Sequence, residues 1–428
     1  MKTAVILCAG AGTRLRTLAG DAPKPLVKVA GREILYRTLY LLSKAGVEEF
    51  VIVVNPQNRE PIESFLKETG VSYSIVINEK PERENGYSLL LASDSVMEDR
   101  FVLTMGDHLY SEEFIAQAIG GEGLIVDSLA LYTDREEATK VLCEGGRVRD
   151  IGKELQRFTG YDTGFFVLER KIFEVAGRLA EKKERLTLSE IVREAQLKCT
   201  FVSGKFWTDV DTPEDLKRAR RELIRSSAKG SGDGFVARHL NRKLSLRVSE
   251  KLVDRVSPNQ ATGIVFLIGI LSALVALLNP PLGGLLYQLS SMLDGIDGEI
   301  ARASMRTTRF GGWLDSVLDR FVDFSFLSAL AFRMEPSGYA LLWVLSALFG
   351  SLMVSYTTER FRGAYQEDAY RALPLLRYLP GRRDERILFT AVMTLMGWFL
   401  PLFVILSLVT NLRVLLTVYL VWREKGTQ

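Results

Sequence analysis

The sequence predicts an α/β domain followed by an all-α membrane domain of about six helices. Three observations carry this. Up to about residue 225, short apolar runs alternate with amphipathic stretches. A small-residue segment, "SSAKGSGDG", then covers residues 226–234. From Ala261 onward the apolar runs reach the length of a bilayer crossing, ~20 residues.

In the first half, "TAVILCA", "EFVIVVN", "YSIVIN", "FVLTMGD", "SLALYTD" and "TGFFVLE" read as buried strands. "EILYRTLYLLSKAG" and "DLKRARRELIRS" read as helices. Strands alternating with helices predict a mostly parallel sheet covered on both faces. The N-terminus, "MKTAVILCAGAGTRL", is too short in its apolar run for a signal peptide. It reads as a first strand entering a glycine-rich loop.

Composition narrows the functional class. The 428 residues suffice for two or three domains, and the net charge of +3 argues against a nucleic-acid binder. Two histidines make a histidine-ligated zinc site improbable. Cys8, Cys143 and Cys199 lack any paired spacing and read as buried free thiols of a reducing compartment. Abundant charged residues and scarce Asn and Gln lean toward a heat-adapted source.

The domains are therefore 1–225, a flexible linker at 226–234, an amphipathic helix at 235–258 and a membrane domain at 259–428. The 235–258 segment has an Arg- and Lys-rich face that suits a membrane surface, although a soluble amphipathic helix has the same pattern. Candidate spans begin at Ala261 and continue at about 283–303, 311–333, 338–358, 387–405 and 406–422. The break between the last two is expected between Pro401 and Asn411. Arginines gather between spans four and five, after span two and in the tail. This places both termini and the first domain in the cytoplasm of a multi-pass cell-membrane protein.

Spans two and three carry Asp294, Asp297, Asp315 and Asp319. Spacings of three and four put each pair on one helix face. Carboxylates are costly next to hydrocarbon, so their convergence calls for cations. Mg²⁺ or Mn²⁺ suits oxygen ligands, and two ions can hold a diphosphate. Carboxylates of an ion or proton transporter are the competing reading. The full pattern is Asp294-x-x-Asp297-Gly298-x-x-Ala301-Arg302, eight residues, then Gly311-x-x-x-Asp315-x-x-x-Asp319. It resembles the signature of the CDP-alcohol phosphotransferase family, and "SPNQATG" at 257–263 resembles that family's entry into its first span. The resemblance implies that Asp294, Asp297, Asp315 and Asp319 surround two metal ions. It makes Asp319 the base for the acceptor hydroxyl, and places Asn259, Gly298, Ala301 and Arg302 around the CDP-alcohol. Arg360 and Arg386 resemble positions that grip phosphorylated acceptors, and serve equally as topology markers.

In the first domain, Gly10 and Gly12 follow a strand and can expose N–H groups to phosphates. Leu15 stands where a dinucleotide fingerprint requires glycine. Arg14 and Lys24 add cations. "AGAGTR" (Ala9, Gly10, Ala11, Gly12, Thr13, Arg14) with "PKPL" resembles the nucleotidyltransferase family, whose domain is Rossmann-like. The resemblance implies base reading by Asn85, Gly86 and Ser88, and at least one metal ion on Asp107. Either Asp209 or Asp211 supplies the second carboxylate. Each such residue, taken singly, also reads as an ordinary helix cap or strand end. "YDTGFF" at 161–166 and Lys153 upstream resemble the substrate segment of inositol-1-phosphate cytidylyltransferases.

Together the halves resemble a bifunctional family of heat-loving organisms. That resemblance implies CTP, inositol-1-phosphate and CDP-inositol as ligands and a water-soluble phosphorylated di-inositol phosphate as product. It also implies a homodimer formed through the membrane domain. A phospholipid synthase with a fused cytidylyltransferase is the alternative. A non-catalytic nucleotide sensor would be expected to have lost catalytic positions, and none is lost.

Overall fold

The computed structural model describes residues 1–10, 22–228 and 236–426. Ala11, Gly12, Thr13, Arg14 and most of the expected linker lie outside the described residues. The chain divides into two compact units, Met1–Glu222 and Leu223–Gln428.

The first unit holds strands β1 (Thr3–Cys8), β2 (Lys28–Val29), β3 (Arg32–Glu33), β4 (Glu49–Val54), β5 (Ser72–Ile77), β6 (Arg100–Met105), β7 (His108–Tyr110), β8 (Gly123–Asp127), β9 (Lys140–Glu144), β10 (Arg147–Gly152), β11 (Gly160–Glu169), β12 (Cys199–Phe201) and β13 (Trp207–Asp209). Its helices are α1 (Ile34–Lys44), α2 (Pro56–Thr69), α3 (Glu84–Leu91), α4 (Glu112–Ala118), α5 (Ile172–Lys182) and α6 (Leu188–Ala195); α7 (Pro213–Ser226) follows. The main sheet runs β10-β9-β11-β6-β1-β4-β5, with β8 joining β11 to β12. Every residue of β1 is buried, as a central strand covered on both faces requires.

The sheet is mixed rather than mostly parallel. β6, β1, β4 and β5 are parallel, but β11 pairs antiparallel with β6, β8 and β9. "SLALYTD" is also not a strand. The strand is the preceding β8, and it ends at Asp127. That buried carboxylate accepts hydrogen bonds from the N–H groups of Leu129 (2.9 Å) and Gly204 (3.2 Å) and from Trp207 Nε1 (2.7 Å), which turns the chain out of the sheet. The cysteine expectation is corrected as well. Cys8 is buried and free, whereas Cys143 on β9 and Cys199 on β12 form a disulfide, their Cα atoms 6.5 Å apart. Sequence spacing concealed a pair separated by 56 residues.

The second unit is helical. After a turn at Ala237–Asn241 come α8 (Arg242–Leu252), α9 (Pro258–Leu278), α10 (Pro280–Leu293), α11 (Ile296–Ala303), α12 (Arg309–Met334), α13 (Tyr339–Tyr365), the short α14 (Ala369–Ala372), α15 (Arg383–Leu395) and α16 (Phe399–Lys425). Among the described residues, three helices are long and apolar enough to cross a membrane: α9, α13 and α16. Leu267, Leu274, Leu342, Phe349, Leu412 and Leu415 on these helices are each more than half exposed, which suits a hydrocarbon solvent. The expected span 283–303 is broken between Leu293 and Ile296, so α10 and α11 are separate helices. The last break falls at residues 396–398, and Pro401 sits in the first turn of α16, where proline is tolerated.

Candidate active sites

In the first unit a small ribbon assembles the acidic residues. β7 pairs with β13 so that His108 lies opposite Asp209. Asp107, just before β7, accepts the Val210 N–H on its carbonyl (3.1 Å). The start of α7 is capped by Thr212 and Asp215, whose Oδ2 accepts the Thr212 N–H at 2.8 Å. The Asp211 carboxylate turns instead to Lys24.

Lys24 opens a single helical turn, Lys24–Leu26, after Pro23. Its Nζ bridges Asp107 Oδ2, at 2.5 Å, and Asp211 Oδ1. Asp107 Oδ1 is 2.7 Å from His108 Nδ1. Burial works against the Asp107 charge, but Lys24 and His108 outweigh it and hold its carboxyl well below the usual range. Burial lowers the Lys24 pKa, and the two aspartates more than reverse this. Two carboxylates with oxygen ligands only fit a hard divalent ion.

Asp209 sits differently. Its Oδ1 accepts from Thr133 Oγ1 at 3.0 Å, and it lines a cavity of about 170 Å³ with Lys153, Asp162, His108 and Asn85. Lys153 is thus on the wall of this recess. Asn85 Oδ1 accepts the Leu188 N–H (2.8 Å), while Ser88 is buried and accepts from Asn78 Nδ2 (2.9 Å). A Cβ on Gly86 would lie 2.7 Å from the Leu186 carbonyl oxygen, so only glycine fits where α3 meets this segment. The carbonyls of Ala9 and Gly10 are held by Asn55 and Asn58 at 2.9 and 3.2 Å, which fixes the start of the glycine loop.

In the second unit the helix break at 294–295 and the start of α12 bring the aspartates together. Carboxylate oxygens of Asp294, Asp315 and Asp319 lie within 4.8 Å of one another, a donor set that fits a hard divalent ion. Asp297 lines the same small cavity, but its oxygens accept from Thr262 Oγ1 (2.6 Å) and the Gly298 N–H (2.5 Å). Sequence reasoning missed Arg383. Its guanidinium reaches Asp294 (2.9 Å), Asp319 (2.9 Å) and Asp323 (3.2 Å). Asp323 was legible as the next step of the four-residue period through Asp315 and Asp319. It also accepts from Tyr287 Oη at 2.9 Å.

Arg386 is buried behind Arg383, 3.8 Å from Asp323. Arg360 is exposed and lines a different groove, with Val418 and Trp422 of α16. Gly298 and Arg302 line a larger cavity of about 360 Å³ beside the aspartates. A Cβ on Gly298 would lie 2.9 Å from Arg302 Nη1, so glycine lets the guanidinium lie flat across the helix. Arg302 Nε donates to the Ser227 carbonyl at 2.5 Å. Asn259 stands in the first turn of α9 near Gly311, and the Ala301 carbonyl accepts the Arg306 N–H at 2.7 Å.

A cation-lined nucleotide-type fold and an acidic helical cluster on one chain define a two-site enzyme. Residues 3–226 match the nucleotidyl transferase family, and residues 255–419 match the CDP-alcohol phosphatidyltransferase family. The "bifunctional IPC transferase and DIPP synthase" of Aquifex aeolicus is 55% identical over 426 residues, covering 100% of this chain and 99% of its own. That of Thermococcus kodakarensis is 52% identical, covering 98% and 97%. A solved inositol-1-phosphate CTP transferase from T. maritima is 30% identical over 51% of this chain and 95% of its own, with a TM-score of 0.48. The chain belongs to the family of bifunctional IPC transferases and DIPP synthases.

Proposed function

We propose that the first unit transfers CMP from CTP to inositol-1-phosphate, giving CDP-inositol and pyrophosphate. The second unit then transfers the inositol phosphate group to a second inositol-1-phosphate, giving phosphorylated di-inositol phosphate and CMP. The observation that carries this is the presence on one chain, matched along its whole length by the relatives, of both a Lys24–Asp107–Asp211 site and an Asp294–Asp315–Asp319 cluster.

In the first step, a phosphate oxygen of the substrate attacks the α-phosphorus. Lys24 and Arg14 offset the charge building on the phosphoryl oxygens, and Lys153 orients the inositol phosphate. The glycine loop, with Asn85, Gly86 and Ser88, holds CTP. In the second step, Asp319 takes the proton from the acceptor hydroxyl. Asn259, Gly298, Ala301 and Arg302 hold the CDP-alcohol, while Arg386 and Arg383 attract the acceptor phosphate; Arg360, in its separate groove, is left the role of a topology marker. Mg²⁺ or Mn²⁺ would be held by Asp107 with Asp211 or Asp209, and as two ions by Asp294, Asp297, Asp315 and Asp319. These ions supply charge neutralisation at the phosphates. The domain assignments 1–225, 226–234, 235–258 and 259–428 belong to the same proposal. So do six membrane spans, cytoplasmic termini and a homodimer within the bilayer.

The test is phosphorus NMR on detergent-purified protein with CTP, inositol-1-phosphate and Mg²⁺. Wild type is expected to yield CMP and a water-soluble diester, Asp319→Asn to stop at CDP-inositol, and Lys24→Ala to make neither. Diester formation only after lipid is added would overturn the acceptor assignment in favour of a phospholipid synthase.

A further inference from the structure

Three helices of the second unit meet at one carboxylate, Asp323 of α12, which is only 5% exposed. Tyr287 Oη of α10 donates to its Oδ1 at 2.9 Å. Arg383, the first residue of α15, donates from Nε to Oδ1 and Oδ2 at 3.3 and 3.2 Å. Arg386, one turn further along α15, stands 3.8 Å away. The Tyr287 ring stacks on Phe326, with centroids 4.2 Å apart, so its hydroxyl is fixed in place.

Asp323 continues the four-residue period of Asp315 and Asp319, yet it does not share their task. It stands outside the carboxylates that converge within 4.8 Å, and it lines neither of the cavities beside them. What reaches those cavities is Arg383, which lines both and keeps 20% of its side chain exposed. A guanidinium is planar, so a carboxylate on Nε fixes the direction of both Nη groups. Here Nη1 points to Asp294 and Nη2 to Asp319, at 2.9 Å each. The buried end of the arginine is thus held by Asp323, and its open end faces the aspartate cluster.

We propose that Asp323, helped by Tyr287, is the positioning residue that aims Arg383 at the phosphate of the acceptor, and that the enzyme thereby selects a phosphorylated over an unphosphorylated polyol. This rests on the functional reading given above for the second unit, in which Asp319 takes the acceptor proton. An arginine 2.9 Å from that base faces the incoming acceptor. Its fork of donors suits a phosphate and gains little from a neutral hydroxyl. Asp323 and Tyr287 order the long side chain before the acceptor arrives, which removes an entropy cost from binding.

Two measurements on the full chain in detergent test it. In the first, CDP-inositol and Mg²⁺ are supplied, with inositol-1-phosphate or inositol as acceptor. Wild type is expected to use inositol-1-phosphate well and inositol poorly. Asp323→Asn is expected to raise KM for inositol-1-phosphate about tenfold, with kcat and the KM for CDP-inositol changed by less than about threefold. Tyr287→Phe, which keeps the ring on Phe326 and hence the packing, is expected to move the same KM in the same direction. In an Arg383→Gln background, Asp323→Asn is expected to add nothing, because a residue that acts through another is not additive with it. A KM for inositol-1-phosphate within about twofold of wild type in both variants overturns the proposal. A fall in kcat with that KM unchanged, or a loss that adds in full to that of Arg383→Gln, overturns it too. Equal use of the two acceptors by wild type overturns the selection.

The second measurement needs no turnover. Phenylglyoxal modifies accessible arginines, and peptide mass spectrometry reads the rate at Arg383 alone. Labelling is expected to be slow in wild type and faster in Asp323→Asn and Tyr287→Phe. Inositol-1-phosphate, but not inositol, is expected to slow it further in wild type. Labelling that ignores both substitutions overturns the positioning. A wild type that labels as expected but makes no diester from CDP-inositol instead sinks the functional reading and the acceptor selection with it, and leaves the hold of Asp323 on Arg383 standing.

Discussion

Arg383 Nη2 lies 2.9 Å from Asp319 Oδ1, and the same guanidinium holds Asp294 and Asp323. One cation thus offsets three carboxylates among apolar helices, where uncompensated charge is expensive. Removing it leaves the carboxylates facing one another. Arg383→Ala is expected to cost about 3–5 kcal/mol in chelator, the range for breaking a buried pair. Added Mg²⁺ should recover more stability in the variant than in wild type, because binding to the native state is stabilising. Thermal unfolding followed by tryptophan fluorescence checks this. Equal melting of the two proteins in chelator would remove the compensating role of Arg383.

Gly86 makes a sharper packing prediction. Its N–H donates to the Leu186 carbonyl at 2.9 Å, and an added Cβ would lie 2.8 Å from both the carbonyl carbon and oxygen of Thr187. These are backbone atoms, which yield only if the segment moves. Gly86→Ala is expected to destabilise the protein by about 1–3 kcal/mol, as overpacking does. It should also weaken CTP binding, since Asn85 meets Leu188 beside it. Gly177 is the comparison. It lies within α5 with nothing within 4 Å of a built Cβ. Gly177→Ala should gain up to about 1 kcal/mol from helix propensity. Chemical denaturation of both variants distinguishes a contact effect from a general intolerance of alanine.

The two sites were unequally legible. The four-residue step puts Asp315 and Asp319 on one face of α12. Asp294 instead joins them from the break between α10 and α11, and not through a helix face shared with Asp297. Asp297 shares their cavity, yet Thr262 and the Gly298 N–H hold its oxygens, and no spacing rule reports hydrogen bonds from another helix. Arg383 was invisible for the opposite reason. It stands in "GRRDER", where several arginines compete, and only the fold shows which one reaches the acids. The strands with long apolar runs were legible, whereas the end of β8 depended on Asp127 finding Trp207, 80 residues away. A largely buried antiparallel β11 reads like a parallel strand, so the mixed sheet was not foreseeable from pattern.

His108 carries a pH prediction. Burial lowers its pKa, but the bond to Asp107 outweighs this and raises the value above the ordinary 6.5. The stability it contributes is therefore present below about pH 6.5 and is lost as the pH rises through the folded value. The chain has two histidines, so ring carbon-13 spectra of labelled protein contain two titrating signals, and His108→Gln assigns one. In chelator the His108 midpoint is expected above 6.5. In Asp107→Asn it should fall below 6.5, because burial then acts without its carboxylate partner. A midpoint that ignores Asp107→Asn would show that the ring is not paired with it.

The Cys143–Cys199 bond predicts a separation of stability from activity. It ties the β9–β10 hairpin to β12, and Thr139 and Lys153 at the open ends of that hairpin line the cavity that holds Asp209. The hairpin has other anchors: Cys199 N–H donates to the Gly146 carbonyl (2.9 Å) and Val148 N–H to the Leu197 carbonyl (2.8 Å). Reduction should therefore leave the cavity in place while removing a constraint on the unfolded chain, worth about 2–4 kcal/mol. Cys143→Ser/Cys199→Ser is expected to shorten the half-life of cytidylyl transfer at high temperature with KM for inositol-1-phosphate within about twofold, since the hairpin keeps its backbone bonds. Thiol labelling of the denatured, unreduced protein decides whether the disulfide forms. One labelled cysteine, Cys8, is the expected result, and three would mean that the strands approach without being joined.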